Sequence, residues 1–170
     1  PTEAKVVVFG HEIMTAGYTT HIQDCAQVVG SATNANQLSQ CIDEHQPDLV
    51  IFDCQTHELA EMVILALTIK DSHPHLSLAI ISRFDSPTHP ENRHALQVLL
   101  DTDPESDNHV CLIRPQELAP SNNHPDPLRQ FISLGSYTNP ILIHQLVLHP
   151  PEANPFCLTR REQEVVTLLI

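Results

Sequence analysis

Glycine is scarce in this chain of 170 residues: Gly10, Gly17, Gly30 and Gly135 are all it has. So few glycines argue against a phosphate cradle built from a Gly-rich loop, and neither G-x-x-x-x-G-K-[ST] nor G-x-G-x-x-G occurs. The G-x-S-x-G elbow of many hydrolases is missing too, so the chain is expected not to be an enzyme. Basic residues are also few. Eight Lys and Arg stand against 21 Asp and Glu, for a net charge of −13. Residues 1–148 hold 18 of the acids and six of the bases. A body that acidic repels a phosphate backbone, so any DNA contact must come from sequence that is not here. No apolar run approaches the ~18 residues of a membrane span, so neither a membrane span nor a signal peptide is expected. The five cysteines (Cys25, Cys41, Cys54, Cys111, Cys157) are odd in number and lack a C-x-x-C pair. Neither a disulfide framework nor a zinc ribbon is indicated. Reduced thiols in a cytoplasmic protein are expected, with no metal and no cofactor.

What is present is a strand–helix alternation. A length of 170 residues suits one domain and a tail. Lys5–Phe9 is a short apolar run of the kind that forms a buried parallel strand. Residues 12–23 suit a helix, Gln27–Ala32 a second strand and Asn36–Glu44 a helix. Pro47 interrupts, and Asp48–Asp53 (Asp-Leu-Val-Ile-Phe-Asp) is a third strand. Glu58–Lys70 follows as an apolar helix, Leu76–Ser82 as a fourth strand, Glu91–Leu100 as a short helix and Val110–Ile113 as a fifth strand. Residues 115–127, with four prolines, read as a long loop. Residues 128–148 read as helix, a break at Gly135, and a second helical piece from Pro140. The pattern predicts an α/β fold: a doubly wound, five-stranded parallel sheet of flavodoxin-like order 2-1-3-4-5, with a C-terminal linker and a partial helix. The domain boundaries expected are 1–148 for the body, 149–157 for a Pro-rich linker and 158–170 for the start of something else.

That last stretch, Leu158-Thr159-Arg160-Arg161-Glu162-Gln163-Glu164-Val165-Val166, opens with the S/T-x-x-E spacing of a capping box between Thr159 and Glu162. It resembles the start of the helix-turn-helix domain of LuxR/NarL-type transcription factors, L-T-x-R-E-x-E-V-L. The resemblance places Thr159, Arg160, Arg161 and Glu162 at the helix-turn-helix start. The chain is then expected to stop before the recognition helix that would enter the groove. Arg160 and Arg161 fall in a first helix, whose role is packing.

Upstream, three pieces in order resemble a response-regulator receiver domain of the flavodoxin/CheY kind: Pro47-Asp48-Leu49-Val50-Ile51-Phe52-Asp53, Leu78-Ala79-Ile80-Ile81-Ser82 and Val110-Cys111-Leu112-Ile113-Arg114. In that family the Asp ending the third strand takes a phosphoryl group with the help of Mg²⁺, a hard cation held by oxygen ligands. The resemblance assigns that position to Asp53 and the receiver pocket to Phe9, Gly10, Asp53, Ser82 and Arg114. Three departures stand out. The acidic pair after the first strand is replaced by Phe9 and Gly10, which offer no carboxylate. The Lys of the fifth strand is Arg114, with a different reach and geometry. Cys54-Gln55-Thr56-His57 stands where Met-Pro is usual. The expectation is an atypical receiver with a vestigial acceptor, Asp53 pairing with Arg114 across the strand ends. It would be the regulatory part of a dimeric, DNA-binding two-component regulator not controlled by ordinary Mg²⁺-dependent phosphorylation. A sensor kinase is an implied partner, alongside a second copy of the chain and DNA through the missing domain. The competing expectation is a pseudo-receiver that senses a small ligand or a partner protein, with an apolar pocket opened beside Phe9 and Gly10. Redox sensing at Cys54, and metal binding by His73, His75, His89 and His94, are weaker readings that lack the required signals.

Overall fold

The computed structural model describes residues 3–54, 59–82, 110–118 and 126–135. They form β1 (Ala4–Phe9), α1 (Glu12–Ile22), β2 (Ala26–Ala32), α2 (Ala35–His45), β3 (Leu49–Asp53), α3 (Leu59–Ser72), β4 (Ser77–Ile81), β5 (Val110–Ile113), a 3₁₀ turn (Pro115–Leu118) and α4 (Pro127–Leu134). The strands make one parallel sheet of order β2-β1-β3-β4-β5. Both the class and the strand order are those the alternation predicts, and the element bounds agree to within about two residues. The helix expected at 91–100 lies outside the described residues. So do the stretches 136–148, 149–157 and 158–170.

The sheet holds together because both of its faces are buried. Val6 and Val8, Leu49 and Ile51, Ala79 and Ile81, and Cys111 and Ile113 point to one face. There they pack with Tyr18 and Ile22 of α1 and Leu128 and Phe131 of α4. The alternate residues Val7, Phe9, Val50, Phe52, Leu78, Ile80 and Leu112 are equally buried on the face left to α2 and α3. This is why β1, β3 and β4 read as unbroken apolar runs rather than as alternating patterns. β2 is one of the two edge strands, and its register slips against β1 between Val6 and Val7, leaving Val29 as the extra residue.

Local signals set the helix ends. Asn34 caps α2 by accepting from the Gln37 N–H at 3.0 Å, and the Gln37 side chain accepts from the Thr33 N–H and hydroxyl. Gln46, at φ 45°, ends that helix in the left-handed region, just before Pro47. Asp126 caps α4, Pro127 occupies its first turn, and Gly135 at φ 70° closes it. Lys70, in the last turn of α3, is buried and donates to the Leu76 carbonyl. Burial lowers its ammonium pKa to about 8.

The expectation of a loop over 115–127 needs correction at both ends. Pro115 opens a 3₁₀ turn in which Glu117 accepts from the Arg114 N–H at 2.7 Å, and Pro127 opens α4. A proline has no N–H to lose in a first turn, so these two start helical structure rather than prevent it.

Candidate functional site at the carboxyl end of the sheet

In an open parallel sheet the strand ends define where chemistry collects. Here Gly10 follows β1, Asp53 ends β3, Ser82 follows β4 and Arg114 follows β5. The ladder carries on past the strands: Gly10 N–H donates to Ala32 at 2.9 Å, Cys54 N–H to Ile81 at 2.9 Å and Ser82 N–H to Ile113 at 3.1 Å. Gly10, Asp53, Ser82 and Arg114 thus lie along one edge of the sheet.

Asp53 is nearly closed off from solvent, at 2% exposure. Its Oδ2 accepts a hydrogen bond from the Tyr18 hydroxyl at 2.9 Å, from the face covered by α1. A buried carboxylate needs such donors to offset lost hydration. The cost shows on the partner. Burial first, and the Asp53 charge second, push the Tyr18 phenol well above its ordinary pKa. Gly10 approaches from the β1 side. A Cβ there would lie 3.0 Å from the Asp53 Cβ, so the absent side chain is what permits the approach.

Phe9 does not face this edge. Strand alternation turns its ring to the far face, where it packs on Phe52 with centroids 5.6 Å apart. The expectation of an apolar pocket beside Phe9 and Gly10 is therefore corrected: Phe9 faces away, and the phenol of Tyr18 lies against Asp53. The Asp53–Arg114 pairing is corrected as well. Among the described residues the Arg114 guanidinium pairs with Glu117 at 3.6 Å, a local i,i+3 contact. Ser82 is buried at the same edge.

Cys54 is 5% exposed, and burial together with the neighbouring Asp53 charge pushes its thiol up to about 12. Redox sensing requires the reverse on both counts. Cys25, Cys41, Cys54 and Cys111 all carry free thiols. His73 and His75 meet edge to face, with ring centroids 6.2 Å apart. His89, His94 and the residues Thr159, Arg160, Arg161 and Glu162 lie outside the described residues.

Among the described residues the donor set does not fit the divalent cation that receiver chemistry uses. Gly10 has no side chain, Phe9 is apolar and turned away, and the Asp53 carboxylate is engaged by Tyr18. Among the described residues no cluster of three or more His, Cys, Asp or Glu is placed to hold a metal. No described helix is long and apolar enough to cross a membrane.

Sequence reasoning missed Tyr18. A signal was available: Tyr18 and Ile22 are spaced i,i+4, so they share one face of α1. Only the packing of that helix on the sheet, beside β1 and β2, lets the phenol reach Asp53.

Taken together, the parallel 2-1-3-4-5 order and the flanking helices define a CheY-like receiver fold. Solved structures share it. The chain is similar to RcsB in a DNA complex of that response regulator, at 18% identity over 99% of this chain and 77% of that one, with a TM-score of 0.63. It is similar to the isolated REC domain of RcsB from Salmonella enterica serovar Typhimurium, solved with the phosphomimetic BeF3-, at 17% identity over 85% and 99% with a TM-score of 0.59. It is also similar to the signal receiver domain of NarL from Mycobacterium tuberculosis, at 19% identity over 79% and 94% with a TM-score of 0.50. No family model and no curated protein matches the chain. At these identities the likeness establishes the fold, and the chemistry rests on the residues themselves.

Proposed function

We propose that this chain is the regulatory, receiver-like part of a DNA-binding transcriptional regulator of the LuxR/NarL kind, and that Mg²⁺-dependent phosphorylation of Asp53 is not its switch. The observation that carries the second half is the state of Asp53: buried, hydrogen-bonded to Tyr18, and faced by Gly10 where receiver chemistry places a carboxylate. The first half is supported by the receiver fold, by neighbours that include a DNA-bound RcsB, and by the capping-box motif at Thr159–Glu162. In this reading residues 1–148 are the regulatory body, 149–157 a linker stiffened by prolines, and 158–170 the first helix of a helix-turn-helix domain. DNA is bound through sequence beyond that helix. A dimer is expected, because two half-sites need two reading heads. A signal other than phosphotransfer then controls dimerisation or exposure of the DNA-binding domain.

The test is treatment with a small phosphodonor and Mg²⁺, read by intact mass, for the wild-type chain beside Asp53→Ala. The expected result is no phosphoryl adduct on either. An adduct on the wild type that vanishes in the variant overturns the reading.

A further inference from the structure

The contact between α1 and β3 carries more than a missing metal site. α1 is a weakly built helix. It holds Gly17 in its middle and Thr15, Thr19 and Thr20 along its length, all poorer helix formers than Ala or Leu. Its buried side chains are Tyr18 and Ile22, with Met14 partly buried against the same core, while Ile13 is 74% exposed. A helix with so few buried contacts lies at the low end of local stability.

Its two ends are held differently. At the C-terminal end, Arg129 of α4 pairs with Asp24 and donates to the His21 carbonyl at 2.7 Å, and Asp126 meets the His21 ring at 2.5 Å. Nearer the N-terminal end, His11 caps the helix through a long 3.4 Å contact to the Ile13 N–H. Tyr18 lies between these two regions, with its hydroxyl on Asp53.

We propose that Tyr18 is the gate residue of Asp53. Its hydroxyl holds α1 down on the carboxyl end of β3, and access to the carboxylate is set by the opening of this contact. The inference rests on reading the Asp53 edge as the working end of a regulatory domain, and it deepens that reading. Opening hinges at the clamped C-terminal end of α1 and lifts the Tyr18 hydroxyl off Asp53. Tyr18 acts here as a positioning residue. The bond it makes is a buried one to a charged acceptor, the stronger class of hydrogen bond in a protein.

The test is carboxylate footprinting of the full chain with a water-soluble carbodiimide and an amine, comparing wild type with Tyr18→Phe. The exposed Asp24 serves as the fast reference and the Cys111 thiol as the reporter of global unfolding. In the wild type Asp53 is expected to label far more slowly than Asp24. In Y18F its labelling is expected to rise about tenfold or more, the change that follows from losing a hydrogen bond to a charged group. Cys111 is expected to keep its wild-type protection.

Unchanged Asp53 labelling in Y18F overturns the proposal. So does a rise in which Cys111 follows in step, since the bond would then serve only global stability. A second pair keeps the question answerable if Y18F does not fold. Asp53→Asn retains an oxygen to accept from the phenol and is expected to keep Cys54 protected. Asp53→Ala is expected to speed Cys54 modification about tenfold relative to Cys111. Equal Cys54 rates in the two variants count against the gate. No phosphodonor or DNA enters these measurements, so failure of the gate and failure of the proposed function are separately visible.

Discussion

Gly10 and Gly17 respond in opposite directions to one added methyl group. Gly17 sits within α1 and is exposed, and a Cβ there meets nothing within 4 Å. Alanine at this position removes backbone freedom from the unfolded chain and is expected to stabilise the protein by about 0.5–1 kcal/mol. At Gly10 the added Cβ would stand 3.0 Å from the Asp53 Cβ. Either β1 or β3 must move, so Gly10→Ala is expected to cost about 1–3 kcal/mol, the usual range for overpacking. Urea unfolding at unchanged m-value reads both effects as shifts of the midpoint. A G10A protein as stable as wild type would mean that the strand end relaxes freely and that the close approach constrains nothing. The same steric fact bears on the site's chemistry. An aspartate at position 10 would meet this contact before it could offer a carboxylate to a cation, so a metal site is not restored by one substitution.

At the scale of elements, α4 is fixed by a single aspartate with several duties. Asp126 accepts from the N–H groups of Leu128 at 2.9 Å and Arg129 at 3.3 Å, and its other oxygen meets His21 and the Arg129 Nε. Asp126→Ala removes the cap and the tie to α1 together, and is expected to lower stability by about 1–2 kcal/mol. Asp126→Asn keeps a capping oxygen and is expected to recover most of that loss in the same unfolding assay. Equal stability of D126A and wild type would show that neither cap nor clamp holds the helix. The strands were legible in the sequence, because a sheet buried on both faces demands continuous apolar runs, and Val6 to Phe9 and Leu49 to Phe52 supply them. The site was legible only in part. Asp53 could be placed at a strand end from local pattern, but its donor comes from a helix distant in sequence, and no local pattern announces that Tyr18 reaches it. Arg114 misled for the opposite reason: a long-range partner was expected, and the near one, Glu117, was available within a turn. Pro115 and Pro127 misled because the same residue that breaks a helix interior suits its first turn.

At the scale of the whole molecule, charge is the term that sets this chain apart from an average domain. A net −13 on 170 residues gives a folded state that repels itself, since folding brings those charges closer than they lie in the unfolded chain. Local ion pairs offset little of this. The Arg129–Asp24 pair is roughly half exposed, and pairs of that kind contribute about 0–1 kcal/mol. Salt therefore acts on two opposed terms, weakening a few surface pairs and screening a much larger sum of like-charge repulsions. With a net charge of −13 the second term is expected to be the larger. Raising salt from about 0.02 M to about 0.2 M shortens the screening length to under roughly 10 Å. The thermal midpoint at neutral pH is expected to climb, by about 2–4 °C for each kcal/mol of repulsion relieved in a chain of this size. Circular dichroism melts across that salt range decide the matter. A midpoint that falls with salt would mean that specific ion pairs such as the α1–α4 clamp outweigh the net charge. The acidity would then have to be explained by something other than a body that keeps its own surface away from nucleic acid.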